Sequence, residues 1–333
     1  MGRAAVIGCG DISIVHFEAI GAISDVTLVA VCDLDPALAK AAGDRWGVPA
    51  YTDHRALLEL EQVDVVHVCT PHDQHAQVAI DCLRAGVAVL TEKPLAATVV
   101  EAERVVAAAA EHPQVKIGVC FQNRYNATVE AIRDAIDRGA GTLIGGHATV
   151  MWHRTPAYYA ARPWRGRMAS SGGGVLINQA IHTLDLLQWL LGDVVSVGAQ
   201  VSGGRIGPGI DVEDTATLIL DHATGARSVF VATNANVVDS PVALEIDTER
   251  ASFFVRDDLT IRHVDGRIEK VAERRVETAG RGYWGVSHQR LIADFYARLD
   301  EPEPFWISPG EATKSLRIIA AAYEASGFGR PGR

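Results

Sequence analysis

Apolar positions follow two rhythms along the chain. As far as about residue 122, short continuous runs of Val, Ile, Ala and Leu alternate with stretches of helical spacing. The runs are AAVIGCG (4–10), TLVAVCD (27–33), VDVVHVCTP (63–71), VAVLTEKP (87–94) and VKIGVCF (115–121). A continuous apolar run suits a strand buried on both faces, and alternation with helices predicts a doubly wound parallel sheet. The intervening helices run through His16, Phe17 and Ile20, from Pro36 to Gly47, over 75–86 and over about 101–110. Pro36 suits a first turn and Gly47 and Gly86 suit helix ends. Beyond 122, a helix over 128–139 leads into longer runs of period two: HATVMWH (147–153), TATLILD (215–221), RSVFVATNANV (227–237), VALEIDTE (242–249) and ASFFVRD (251–257). Breaks such as HATGA (222–226) and DG (265–266) predict an open, mostly antiparallel sheet. Helices over 287–299 and 309–326 close the chain. The fold class predicted is α/β in two domains, residues 1–121 and 122–333, with the C-terminal helix expected to pack back on the first.

Composition narrows the function classes. A length of 333 residues fits two domains, and 48% hydrophobic with 22% charged residues describes a globular protein. The net charge is −10, and basic residues form no run longer than pairs such as Arg274-Arg275, which argues against a nucleic-acid partner. MGRAAVIGCG runs directly into a strand pattern without the layout of a secretion signal, and Val6 stands where a myristoylation signal needs Ser or Thr. Apolar runs such as VVAAAA (105–110) are too short to span a bilayer. A cytoplasmic protein with no membrane partner is expected. The five cysteines, Cys9, Cys32, Cys69, Cys82 and Cys120, form no CxxC pair and read as small buried thiols. His72 with His75, and His147 with His153, lack a completing carboxylate or thiolate, so no metal site is expected.

GCGDIS (8–13) stands where the first strand turns into the first helix, the context a dinucleotide loop needs. Gly8 would allow the tight turn, and Gly10 would let the backbone approach a pyrophosphate at the helix N-terminus. Ser13 keeps close packing where a third glycine is usual. Asp33, at the end of the second strand, can accept both adenosine ribose hydroxyls and would repel a 2′-phosphate. Leu34 follows it, so no cation is supplied, and NAD is favoured over NADP. A plain turn aspartate is the alternative. In TEKP (91–94), Lys93 would project from a strand C-terminus, a place suited to acid–base work beside a nicotinamide, with a Lys93–Pro94 bond able to be cis. A surface lysine fits the spacing equally well. In SGGGVLINQAIHTLD (171–185), Asn178 and His182 would stack four apart on one helix, with Asp185 continuing the face. A neutral imidazole suits removal of an alcohol proton, while Asn178 can only orient a hydroxyl. A satisfied core histidine is the alternative. The triple glycine lacks the Lys-Ser/Thr of a phosphate cradle and reads as backbone thinned to admit a substrate ring.

Together these residues resemble the glucose–fructose oxidoreductase / inositol dehydrogenase / rhizopine catabolism (Gfo/Idh/MocA) family over essentially the whole chain. The likeness rests on GCGDISIVHFEA (8–19), CTPHDQHAQVAIDCLRAGVAVLTEKPLA (69–96), FQNRYN (121–126), WRGRMASSGGGVLINQAIHTLDLLQWLLG (164–192) and HQRLIADFYARL (288–299). It implies a Rossmann domain followed by an α/β domain on an open sheet that often carries homodimer or homotetramer contacts. It also implies oxidation or reduction of a sugar or cyclitol carbon with NAD(P). By resemblance, Lys93 and His182 form the acid–base pair, assisted by Asn178. Gly8, Gly10, Asp11, Ile12, Asp33, Leu34, Thr70, Pro71, His72, His75, Glu92, Lys93, Gln122, Trp164 and Arg165 line the cofactor site. Lys93, Tyr158, Arg165, Asn178 and His182 meet the substrate. His72 stands where the family usually has Asn, and Ser171 replaces an acidic residue common before the glycines. Asn178 replaces the aspartate of many inositol dehydrogenases. The resulting NQxxH form resembles a subgroup of nucleotide-sugar and hexuronate 3-dehydrogenases, which points to a ring carbon and to C3. Two rival readings are a cofactor-recycling NAD-dependent glycosidase or lyase and a catalytically silent NAD-binding sensor.

Overall fold

The computed structural model describes residues 2–274 and 285–329. In chain order the elements begin β1 (Gly2–Ile7), α1 (Ser13–Gly21), β2 (Val26–Cys32), α2 (Pro36–Trp46), β3 (Ala50–Tyr51), α3 (His54–Leu60), β4 (Val65–Val68), α4 (His72–Arg84), β5 (Ala88–Thr91), α5 (Val99–Glu111) and β6 (Ile117–Val119). There follow α6 (Ala127–Asp137), β7 (Leu143–Met151), α7 (Pro156–Ala161), α8 (Met168–Ser171), α9 (Val175–Asn178) and α10 (Ile181–Leu191). The last are β8 (Val194–Ser202), β9 (Thr215–His222), β10 (Arg227–Thr233), β11 (Ala243–Thr248), β12 (Ala251–Arg256), β13 (Asp258–His263), β14 (Ile268–Val271), α11 (Gly285–Ala297) and α12 (Pro309–Ser326). The chain divides into two compact units, whose described residues are 2–122 with 285–313, and 123–274 with 314–329.

The first unit is a six-stranded sheet of order β3-β2-β1-β4-β5-β6, parallel throughout. Strand β4 is buried at all four positions, as continuous apolar runs require when helices cover both faces. The order reverses between β1 and β4, and open sheets of this kind bind ligands at such a point, beyond the strand C-termini. The α2 boundaries follow the expected chemistry. Asp35 caps the first turn by accepting from Ala37 N, Pro36 holds the first position, and Gly47 ends the helix at φ 69°. Strand β3 and helix α3 were not anticipated, because two and seven residues are too short to show a period. Helix α11 packs on α1, so this unit draws on two distant pieces of chain. Gly118 in β6 leaves room for Phe305 and Phe295, which stack edge to face at 5.2 Å. A Cβ on Gly118 would come within 2.6 Å of the Phe305 ring.

The second unit is an eight-stranded sheet of order β14-β13-β12-β11-β7-β10-β9-β8, antiparallel except for the β7–β10 pair. The period-two expectation holds. Ala216, Leu218 and Leu220 of β9 are buried, while Thr217 and Ile219 between them face outward. Strands β8, β13 and β14 were not anticipated. Helix α10 lies on β7 and β11 and is fixed by a fully buried ion pair, in which Arg124 donates to both Asp185 oxygens at 2.7 Å. Ser315 of α12 reaches the same carboxylate at 3.2 Å. Removing one member of such a pair typically costs about 3–5 kcal/mol, because a buried charge is left alone. Asp185 therefore secures the helix, in place of the face it was expected to share with His182.

Candidate active site

The first unit gathers the predicted cofactor residues at the C-terminal ends of its strands. Gly8 sits at φ 96°, where a Cβ would meet the Cys69 carbonyl at 2.5 Å. Only glycine fits that turn. Gly10 has nothing within 4 Å of its Cβ position, so the space before α1 is open to a ligand. No side chain caps α1 and its first turn carries no acid; Ser13 N and Val15 N bond to Gly10 O and Ile12 O, so an anion here would meet the remaining N–H groups and the positive end of the helix. Asp11 is exposed and Ile12 is half-buried at the helix entry. Ser13 is buried and its hydroxyl donates to Gly10 O at 2.7 Å, bracing the loop from within. Asp33 accepts from Cys9 N at 2.7 Å and from Asp35 N at 2.9 Å, so its carboxylate is fixed at the β2 end beside an exposed Leu34. The Thr70 hydroxyl is buried without a partner, an orphan that a bound dinucleotide could satisfy. These features fit NAD.

Between β4 and β5 the loops are tied together. His75 is buried, and its two ring nitrogens lie 2.6 Å from Pro94 O and 2.8 Å from Thr70 O. Burial lowers its pKa even against those carbonyls. His75 thus joins the TP and EKP loops from behind. His72, the first residue of α4 after Pro71, is buried with its ring 5.7 Å from that of His75. The Lys93–Pro94 bond is cis. Lys93 follows β5, and its N–H donates to Glu92 Oε2 at 3.2 Å. Gln122, buried, follows β6. His16, Glu92 and Cys120 present donor atoms within 4.8 Å of one another, but His16 and His288 already hydrogen-bond to Glu92 Oε1, so a metal would have to displace both.

The second unit holds the glycine segment, and here the structure departs from the expectation. Residues 171–185 do not form one helix. Asn178 ends α9, Gln179 and Ala180 interrupt, and His182 lies in the first turn of α10. The stacking of Asn178 and His182 on a single helix face is therefore corrected. The interruption shows in Ala180 N, which bonds back five residues to Val175 O at 2.8 Å. The glycines also have a different reason from the one expected. Gly172 caps α8 at φ 75°. A Cβ on Gly173 would fall 2.0 Å from the Tyr323 hydroxyl, and one on Gly174 would fall 1.9 Å from Glu213 O. The thinned backbone is filled by the protein itself. Glu213 is fully buried and clasps the segment. Its carboxylate accepts from Gly174 N at 2.7 Å, Leu176 N at 2.9 Å and the Tyr323 hydroxyl at 2.8 Å, while its own carbonyl accepts from Val175 N at 3.1 Å. Burial pushes its pKa up against these donors. Ser171 is buried too, and its hydroxyl donates to Gly173 O at 2.6 Å, a role an acid could not fill.

Beside this segment, Tyr158, Trp164 and Arg165 come together. The Arg165 guanidinium lies 4.9 Å from the Tyr158 ring centre and 5.6 Å from that of Trp164, and Arg154 approaches Tyr158 at 5.3 Å. Such a wall offers flat faces and cationic donors to a polar ring. It is linked to the helix break, because the Gln179 amide donates to Tyr158 Oη at 3.0 Å and Gln179 accepts from Asn234 at 2.9 Å. Sequence reasoning missed Gln179, Glu213, Asn234 and Tyr323. Glu213 lies in DVEDTATL, where an acid before a strand looks like ordinary surface, and no local pattern marks its burial.

A model of an oxidoreductase family with an NAD-binding Rossmann fold matches residues 2–121, and a model of the GFO/IDH/MocA C-terminal domain matches residues 129–254. The chain belongs to the Gfo/Idh/MocA oxidoreductase family. Among relatives of this family, D-apiose dehydrogenase of Paraburkholderia graminis is 31% identical over 79% of this chain and 70% of its own length. Inositol 2-dehydrogenase of Rhizobium meliloti is 32% identical over 68% and 67%. The crystal structure of the WlbA dehydrogenase from Bordetella pertussis, in complex with NADH and UDP-GlcNAcA, is 29% identical with a TM-score of 0.83, covering 98% of this chain and 97% of that one. As a member of the Gfo/Idh/MocA family the chain is an NAD-dependent oxidoreductase of α/β fold. Among the described residues no helix is long and apolar enough to cross a membrane.

Proposed function

We propose that this enzyme transfers a hydride between nicotinamide and a ring carbon of a sugar, sugar derivative or cyclitol, with C3 the favoured position. The observation that supports the reading is the clasped 172–182 segment, which carries Asn178 and His182 in its sequence and whose Gln179 hydrogen-bonds Tyr158 in an aromatic and arginine wall suited to a polyhydroxylated ring. Relatives named for apiose and inositol, and the neighbour solved with UDP-GlcNAcA, support this substrate class. When bound, NAD supplies the hydride acceptor. His182 takes the hydroxyl proton as the C–H bond breaks. Lys93 hydrogen-bonds the same oxygen and stabilises its developing negative charge. Asn178 orients a neighbouring hydroxyl, and Tyr158, Trp164 and Arg165 face the ring. Asp33 holds the adenosine ribose and excludes NADP. NADH formation, followed by its absorbance across sugars, sugar acids, nucleotide sugars and cyclitols, tests the reading. Lys93→Ala and His182→Ala should each cut turnover by about two orders of magnitude or more while NAD still binds. Near-normal turnover in both would discard the assignment.

Two coarser features belong to the same proposal. The outward face of the eight-stranded sheet exposes Ile219 and Val229, paired across β9 and β10, which suits a homodimer or homotetramer contact. Light scattering would check it. Five free thiols, four of them buried, suit a reducing cytoplasm.

A further inference from the structure

Glu92 stands just after β5 with 4% of its surface exposed. Its Oε1 is the target of two imidazoles, His16 Nε2 and His288 Nε2, each at 3.1 Å. Behind His16 the chain of contacts continues. His16 Nδ1 meets His67 Nδ1 at 2.8 Å, and His67 Nε2 meets the Tyr296 hydroxyl at 2.9 Å. The network admits a consistent assignment of protons. An ionised carboxylate only accepts, so His16 donates through Nε2. Its Nδ1 then accepts from His67 Nδ1–H, and His67 Nε2 accepts from Tyr296. Burial pushes His67 well below its ordinary value, which fits a neutral ring in that chain. Tyr296, His67 and His16 all donate in one direction, toward Glu92, and such aligned bonds polarise one another. Desolvation acts to raise the Glu92 pKa. The hydrogen bonds from His16 and His288 outweigh it and hold the group well below the usual carboxylate range.

A buried charge is costly unless it is paired and hydrogen-bonded, and His16, His288 and the Lys93 N–H meet that need while fixing the carboxylate at the end of β5. Asp33 at the end of β2 marks the adenosine half of the sheet, so the ends of β4 and β5 belong to the nicotinamide half. The nicotinamide ring is positive in NAD+ and neutral in NADH. A neighbouring anion in a low-dielectric setting attracts the first and is indifferent to the second.

We propose that the buried Glu92 carboxylate, clamped by His16 and His288, biases the cofactor site toward oxidised NAD over NADH. It does so through charge alone, without touching the transferred hydride. The proposal concerns cofactor binding and stands apart from the sugar reading, because its readout needs no substrate.

The experiment is titration of the purified full chain with NAD+ and with NADH, by calorimetry and by tryptophan fluorescence, in wild type, Glu92→Gln and Glu92→Asp. The quantity read is the ratio of the NADH to the NAD+ dissociation constant. Glu92→Gln keeps the shape and removes the charge, and the ratio should fall by about tenfold or more, mainly through weaker NAD+. Glu92→Asp keeps the charge, and its ratio should stay within about threefold of wild type. A folded Glu92→Gln with an unchanged ratio overturns the proposal, as does an equal fall in Gln and Asp. A second reading needs no variant. Wild type should bind NAD+ no more weakly than NADH, and a preference for NADH of about tenfold or more overturns the proposal.

Discussion

Two glycine-bearing helix entries in this chain look alike in sequence and are opposites in structure. At Gly10 the missing side chain leaves nothing within 4 Å, and the vacancy faces a helix N-terminus that no side chain caps. At Gly173 and Gly174 the missing side chains are occupied from within, by the Tyr323 hydroxyl and the Glu213 carbonyl. One loop is thin for a ligand and the other for the protein. The difference teaches that a glycine run announces close approach without saying of what.

The comparison breaks most sharply at Gly174. A Cβ there would fall on the Glu213 main chain, which cannot swing aside, and near Val212 Cγ2, so Gly174→Ala should lower stability by more than about 3 kcal/mol, read as a fall in the thermal midpoint, and should abolish turnover. A thermal midpoint like that of wild type would show that the clasp is not tight. Gly173→Ala should cost somewhat less, and its cause can be isolated. Because the obstructing atom is the Tyr323 hydroxyl, adding Tyr323→Phe should recover part of the loss, a non-additive pair in calorimetric melts. Strict additivity would remove the steric explanation. Gly10→Ala should do the reverse of both, with the midpoint shifted by under about 0.5 kcal/mol in equivalent stability and NAD affinity lowered about tenfold or more.

The smallest effect expected is in pH. Burial pushes the pKa of His67 and of His75 below the ordinary 6.5, so as pH falls the unfolded chain takes up protons there before the folded one does. Their contribution is intact above pH 6.5 and is lost as pH falls below it. Glu92, held below 4.5, adds a further loss only under stronger acid. The thermal midpoint of wild type should decline from pH 7 to pH 5, and His67→Val should flatten that decline. An equal slope in both proteins would mean that other groups govern acid stability.

The sequence carried the fold well where its signals were local. Alternation of apolar runs and helices foretold the parallel sheet, and period two foretold the second sheet, because burial on both faces and on one face leave different patterns. The Gly8 turn, the fixed carboxylate of Asp33 and the cis bond before Pro94 were legible for the same reason. What escaped was long-range. Nothing near Glu213 or Tyr323 in the chain says that they meet across 110 positions, and a break spanning Gln179 and Ala180 leaves no breaker residue to read, since neither is Gly or Pro. His67 carries no local signal within the apolar run 63–71, although its ring links His16 to Tyr296.

The discontinuity of the first unit has a consequence for synthesis. A ribosome makes β1 through β6 before residues 123–274 of the second unit, and only after those come α11 and the aromatic pair of Phe295 and Phe305. Until about 180 further residues have emerged, at roughly 5–20 residues per second, the nascent sheet lacks His288 against Glu92 and carries an uncovered Gly118 strand. The half that binds the cofactor is thus begun before the second unit and completed only after most of that unit has been made. NAD present during translation meets a finished site only when the final helices arrive.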